Sequence, residues 1–134
     1  YKDDKTGKVK NQNICLMYLQ YDGYPSGHPR ETAEWLASGR VVNGINLAET
    51  NLVFNGAGCL AAQLIAKYKE GPGGCYLHPI NHRGKCWEDY VYDIIVKEDK
   101  TIEFVCYENN KRPKELFRGS PTDFVLQNNK IDAE

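Results

Sequence analysis

The sequence lacks any long apolar run, and no segment approaches the roughly 20 apolar residues that a helix needs to cross a bilayer. It also lacks an excess of charge, because 17 Lys and Arg residues balance 18 Asp and Glu residues and the two signs alternate along the chain. No membrane span is therefore predicted, and no strong signal for nucleic-acid binding is present. Hydrophobic residues make up 41% of the chain, which is typical of a folded globular protein and argues against disorder.

Paired cysteines are missing as well. The cysteines are odd in number and widely spaced, with no Cys-x-x-Cys pair; they are Cys15, Cys59, Cys75, Cys86 and Cys106. This usage favours a reduced protein of the cytoplasm over a secreted, disulfide-bonded one. Since Cys15, Cys59 and Cys106 fall within apolar runs, we expect them to be small buried hydrophobic side chains.

The first half of the chain predicts one strand followed by two helices. Apolar residues 14–19 predict a central strand covered on both faces. Pro29 suits the first turn of a helix of about ten residues that stops at Gly39. Residues 41–51 mix strand and turn signals and are predicted to be irregular, whereas an amphipathic stripe predicts a second helix from about Ala57 to Lys69.

In the second half of the chain, apolar residues recur at every second position. A short strand is predicted at 75–78, and alternating residues at 90–96 and 102–107 predict two strands joined by a polar hairpin. A last edge strand at 116–118 and a short C-terminal helix starting near Ser120 follow. The order β, α, α, β-meander predicts a single compact α+β domain over residues 1–134, with two helices packed on a mostly antiparallel sheet.

The connection between the first strand and the first helix is unusual for a turn. It sets tyrosines on both sides of an Asp-Gly pair, and its candidate ligand-binding or partner-binding residues are Tyr21, Asp22, Tyr24 and His28. Two tyrosines could hold a planar ligand between them, and they could equally anchor a protein partner. The alternative is a plain turn whose aromatic rings cover the end of the core.

Small residues precede the second helix at Asn55, Gly56 and Gly58. Free backbone amides at a helix start can hold a phosphate, which makes these residues candidates for binding an anion such as a nucleotide. Close packing of the helix on the sheet is the favoured alternative explanation for the glycines. Cys59 is a candidate nucleophile at the same helix start, because the helix dipole lowers a thiol pKa there, although its position suits packing equally.

Four side chains able to bind zinc lie within twelve residues, in the spacing Cys-x2-His-x3-His-x3-Cys: Cys75, His78, His82 and Cys86. Zinc is held by four such ligands in a tetrahedron. The spacing lacks the paired knuckles of known zinc motifs, so a polar connection between two strands is the favoured alternative and the metal assignment stays open.

An apolar strand runs into a motif of the form Tyr-x-x-Asp-Gly-Tyr-Pro, formed here by Tyr18 and residues 21–25. Looser matches are the small-residue helix start at 55–58, a Gly-Gly-x-Tyr segment at 73–76 and the strand at 88–94. In these features the chain resembles small, largely uncharacterised proteins encoded by phages and prophages. The resemblance implies an accessory protein of a phage or mobile element, and it brings no catalytic assignment to this chain. We expect action in the host cytoplasm and no cofactor.

Three functions follow as hypotheses. The leading one is a non-enzymatic binding protein that occupies a host protein, with a defence component as the favoured target. The second is a small-molecule sponge that binds a nucleotide-like signal between the tyrosines of the motif and the amides near Asn55. The third is a small hydrolase that depends on Cys59 or a histidine. An edge strand near Leu116 or exposed aromatic residues could also support a homodimer.

Overall fold

The computed structural model describes residues 13–20, 23–45, 48–83, 85 and 88–133, and the side chains of the last helix up to residue 128. Helices and antiparallel strands contribute about equally, so the α+β class is confirmed. In chain order the elements are β1 (Leu16–Leu19), α1 (His28–Ala37), β2 (Arg40–Val42), β3 (Val53–Asn55), α2 (Gly56–Tyr68), β4 (Cys75–His78), β5 (Tyr90–Val96), β6 (Ile102–Glu108), β7 (Lys114–Gly119) and α3 (Pro121–Ala133).

The strands are distributed over three small sheets. β1 pairs with β4 in antiparallel fashion, β2 pairs with β3 in parallel, and β5, β6 and β7 form an antiparallel meander. The predicted meander and its hairpin are confirmed: the Lys97 amide bonds to the Thr101 carbonyl, and Lys100 takes a positive φ of 69° in the turn. The prediction that residues 41–51 are wholly irregular is wrong at Val41 and Val42, which lie in the parallel pair.

β1 is not a central strand. In the described part of the chain it pairs only with β4, and its four residues are half-buried, so the prediction of burial on both faces is wrong. An apolar run bounded by turn residues does not distinguish a buried central strand from a short half-covered one.

The core lies between the meander and the helices. Phe104 and Cys106 on β6 face Phe124 on α3, and the Phe104 and Phe124 rings are 4.6 Å apart. α1 packs on α3 and contributes Ala33 and Leu36 to the same cluster. Cys106 is buried as predicted, whereas Cys15 and Cys59 are exposed, so the prediction of burial is wrong for these two thiols.

Gly39 follows the end of α1, but it does not adopt the left-handed backbone conformation with which glycine commonly ends a helix. Its φ is not positive, and the chain instead passes so close to the buried Phe54 ring that a Cβ atom would lie 2.7 Å from Phe54 Cε2 and 3.0 Å from Leu52 Cγ. The absence of a side chain therefore lets β3 approach the end of α1.

Among the described strands β7 lies at an edge of its sheet, as predicted, and Leu116 on it is exposed. The strand carries Lys114, Glu115 and Arg118, and its register with β6 shifts at Cys106 and Tyr107. Charged residues and bulges are the features with which natural edge strands avoid pairing with other chains. This edge therefore lends little support to a homodimer. None of the described helices combines the length and the hydropathy that a membrane span requires.

Candidate functional site

The Asp-Gly-Tyr-Pro loop is fastened to the meander. Tyr21 and Asp22, both predicted site residues, lie outside the described residues. Beyond them, the Tyr92 hydroxyl donates a hydrogen bond to the Gly23 carbonyl at 2.8 Å, and the Gly27 amide bonds to the Tyr24 carbonyl at 2.8 Å. Tyr24 is 51% exposed in the turn between these two bonds. The loop thus presents a large aromatic surface from a tethered backbone.

Tyr92 is itself held by the core. Its ring lies 5.8 Å from the Phe104 ring and 6.5 Å from the Phe124 ring. Burial raises the pKa of the Tyr92 hydroxyl far above its ordinary value, so the group stays protonated and can donate to Gly23 at any ordinary pH.

His28 joins the start of α1 to the end of α2. Its ring lies 5.3 Å from the Tyr68 ring, edge to face, and its Nδ1 atom is 3.4 Å from Glu31 Oε2. The Tyr68 hydroxyl donates to the His28 carbonyl at 3.3 Å and lies 2.6 Å from the hydroxyl of the buried Thr32. Since a phenol has one proton, Thr32 donates to Tyr68. Burial raises the pKa of Tyr68, so this chain of bonds is present at neutral pH.

A cleft of about 270 Å³ opens beside this junction. It is lined by Leu19, His28, Glu31, Lys67, Tyr68, Glu70 and Gly74. Lys67 Nζ is 3.5 Å from Glu31 Oε1, so these two side chains form an ion pair. Glu70 is the second carboxylate of the lining. The lining therefore carries two carboxylates and one ammonium group, and Lys67 lies in the last turn of α2, where its charge offsets the negative end of the helix dipole. Lys67 Nζ also lies 5.6 Å from the centre of the Tyr68 ring, so the cleft contains a cation of its own, and its second carboxylate makes it a poor site for a phosphate.

The predicted anion site at Asn55, Gly56 and Gly58 lies at the other end of α2. Gly56 begins the helix and Tyr68 ends it, so the two ends are about 18 Å apart at the rise of an α-helix. The structure therefore does not bring Asn55 together with His28. The Asn55 carboxamide caps no helix amide and instead accepts a bond from the Gly44 amide at 2.8 Å.

The two glycines of that segment differ in backbone conformation. Gly56 has a φ of +80°, which favours glycine, whereas a Cβ on Gly58 would meet nothing within 4 Å. The close-packing explanation is therefore wrong for both of them, because a Cβ atom at either position would have no contact within 4 Å among the described residues outside its own helix turn. Cys59 lies in the same first turn, and its thiol donates to Gln63 Oε1 at 3.1 Å.

The proposed zinc ligands do not assemble in the described residues. Cys75 is buried, and strand alternation directs its side chain to the face of β4 opposite that of His78. The His78 ring lies 5.9 Å from the His82 ring and 5.7 Å from the Tyr18 ring. Cys86 lies outside the described residues, within which no group of three potential metal ligands is found.

Sequence reasoning missed Tyr92, Tyr68 and Thr32. Tyr68 belongs to the predicted helix stripe and Tyr92 to the predicted strand alternation, patterns that indicate packing alone, and no pattern distinguishes Thr32. Their hydroxyls act on residues 36 to 69 positions away, and such partners leave no local pattern.

Comparisons with models of known protein families, with curated proteins and with solved structures find no match to this chain.

Proposed function

We propose that this protein is a non-enzymatic binding protein of phage or prophage origin that occupies a host protein in the host cytoplasm, with a defence component as the favoured target. One observation carries the proposal: Tyr24 is half exposed on a loop whose backbone is tethered by Tyr92. Tyrosine supplies a large contact area with few rotatable bonds, and it is enriched among the residues that dominate binding energy.

The tether gives the loop a physical advantage for binding. A partner that contacts Tyr24 does not have to order the loop first, so less conformational entropy is lost on association. The near-neutral charge of the chain agrees with a protein partner better than with a polyanion.

The nucleotide sponge receives less support. His28, which adjoins the motif, lies at the opposite end of α2 from the amides near Asn55, and the cleft beside His28 is lined by two carboxylates and one ammonium group. A hydrolase that uses Cys59 also receives less support, because the hydrogen-bond partner of that thiol is an amide, which cannot act as a general base.

The test is a quantitative pull-down from lysate of the natural host. We expect Tyr24→Ala to weaken capture of a specific host protein by at least about 30-fold, the loss typical of a binding hot spot. Leu126→Ala is the matched control, since Leu126 is 54% exposed on α3 and lies outside the loop. Equal capture by the Tyr24 variant and the parent, or capture of no specific protein, would contradict the proposal.

A further inference from the structure

We propose that the outer edge of β4 is a dimerisation surface, at which the β4 strands of two copies of this chain pair antiparallel about a twofold axis at Leu77. In the described part of the chain β4 pairs only with β1. A sheet of two strands is only marginally stable in water, and the pairing extends it to one sheet of four strands. The inference is independent of the proposed function, because it uses no residue of the Asp-Gly-Tyr-Pro loop.

The register of β1 and β4 determines which backbone groups of β4 point outward. The Gln20 amide bonds to the Gly74 carbonyl at 3.0 Å, so these two residues form a hydrogen-bonded pair. Hydrogen-bonded and non-hydrogen-bonded pairs alternate along an antiparallel ladder, and Leu77 and Met17 are three positions further along. The amide and the carbonyl of Leu77 therefore point away from β1, and neither bonds to another described residue.

The outward backbone groups on either side of Leu77 need no further partner. The Cys75 amide bonds to the Gly73 carbonyl at 2.8 Å, and the Cys75 carbonyl accepts a hydrogen bond from Lys69 Nζ at 2.7 Å. Pro79 has no amide proton, and its carbonyl accepts a bond within the following turn. The open part of the edge is therefore one donor and one acceptor, both on Leu77.

A second copy of β4 matches this edge better than another strand does. When Leu77 lies opposite Leu77 of the second copy, each amide donates to the carbonyl of the other. Cys75 then lies opposite Pro79 of the second copy, so the carbonyl that faces the proline is the one that Lys69 already bonds. Another strand would leave a carbonyl without a donor at that position, because Pro79 cannot supply one.

The side chains around this edge are apolar and exposed. Tyr76, Leu77 and Ile80 are 41, 58 and 38% exposed, and residues 75–80 include no Lys, Arg, Asp or Glu. Two copies therefore meet without repulsion between like charges on these strands, and the exposed apolar side chains are removed from water. β7 differs, because the charged residues and the bulge of that edge disfavour pairing with another chain.

The test is the oligomeric state, measured by sedimentation velocity at increasing protein concentration, together with hydrogen exchange of the Leu77 amide. A strand of four residues buries little surface, so we expect a weak dimer whose population rises with concentration. Protection of the Leu77 amide should rise in parallel. Leu77→Lys should weaken self-association by at least about tenfold, because it removes apolar contact and sets like charges opposite each other. Leu126→Lys is the matched control, since Leu126 is 54% exposed on α3.

A protein that stays monomeric at every concentration would overturn the inference. Self-association that Leu77→Lys leaves unchanged would overturn it too, as would exchange of the Leu77 amide that does not depend on concentration. If the parent is monomeric and Leu77→Lys abolishes capture of the host protein, the occupant of this edge is the host protein and not a second copy. Tyr24→Ala should leave self-association unchanged, so failure of the dimer and failure of the proposed function are separate results.

Discussion

The Tyr92 hydroxyl donates a hydrogen bond to the Gly23 carbonyl across 69 positions of sequence. It joins the one loop whose composition is unusual to a half-buried tyrosine of the meander. The bond determines where Tyr24 stands relative to the core, and the local sequence of the loop does not encode it.

Replacing Tyr92 with Phe should loosen this loop without disturbing the core. The ring and its packing on Phe104 are kept, so we expect the free energy of unfolding to fall by only about 1 kcal/mol, the net value of one hydrogen bond. Binding of the proposed host partner should weaken as well, because the loop is less ordered before association. Urea unfolding and binding titration measure the two effects, with Tyr90→Phe on the same strand as the control. Equal effects of the two variants would contradict the assigned role of the tether.

Replacing Tyr68 with Phe should uncouple the start of α1 from the end of α2. The buried hydroxyl of Thr32 would lose its partner, and the His28 carbonyl would lose a donor. We expect a loss of about 1 to 2 kcal/mol in the free energy of unfolding, because a buried polar group left unpaired costs more than the bond contributed. The double variant with Thr32→Val should lose less than the sum of the two single variants, as measured by urea unfolding. Strict additivity would show that the two hydroxyls do not interact.

Replacing Gly39 with Ala should destabilise the protein, since its Cβ would lie 2.7 Å from an atom of the fully buried Phe54 ring. We expect a loss of about 1 to 3 kcal/mol, the usual cost of overpacking a core. Gly58→Ala is the matched control: it lies in the first turn of α2 with open space around it, and we expect a gain of up to about 1 kcal/mol from helix propensity. Thermal and urea unfolding of both variants measure the difference. A neutral Gly39→Ala variant would show that Phe54 can move aside.

Stability should fall in alkaline solution because of Cys106. Burial raises the pKa of this thiol from its ordinary value of 9.0 to about 11. Below pH 9 the thiol is protonated in both states, so the stability is fully present there. Above pH 9 the unfolded chain loses the proton while the folded chain keeps it, which stabilises the unfolded state. The expected loss is about 2 to 3 kcal/mol by pH 11.

Urea unfolding at pH 8 and pH 10 measures this loss. Cys106→Ala should be less stable at both pH values, since it leaves a cavity, but its stability should depend less on pH between them. A slope unchanged in this variant would assign the alkaline loss to other groups, such as Tyr68, whose pKa is also raised by burial.

The local spacing of apolar residues was sufficient to predict most of the helices and strands. The alternation in 90–96 and 102–107 and the stripe in 57–69 reflect which side chains face the core, and the structure contains a strand or helix at each of these places. β1 and the parallel pair β2–β3 were misjudged because their extent depends on what lies beside them. Short strands contain too few residues for a period to identify their neighbours.

The sequence by itself determined the α+β class, the order of the long elements and the loop at which an aromatic residue is exposed, because apolar spacing and turn residues act within a few positions of one another. Only the tertiary structure decided that Tyr92 holds this loop, that His28 meets Tyr68, and that the amides at Asn55 lie at the far end of α2. These relationships depend on distances between segments far apart in the chain, and hydrogen-bond partners at such separations are chosen by packing.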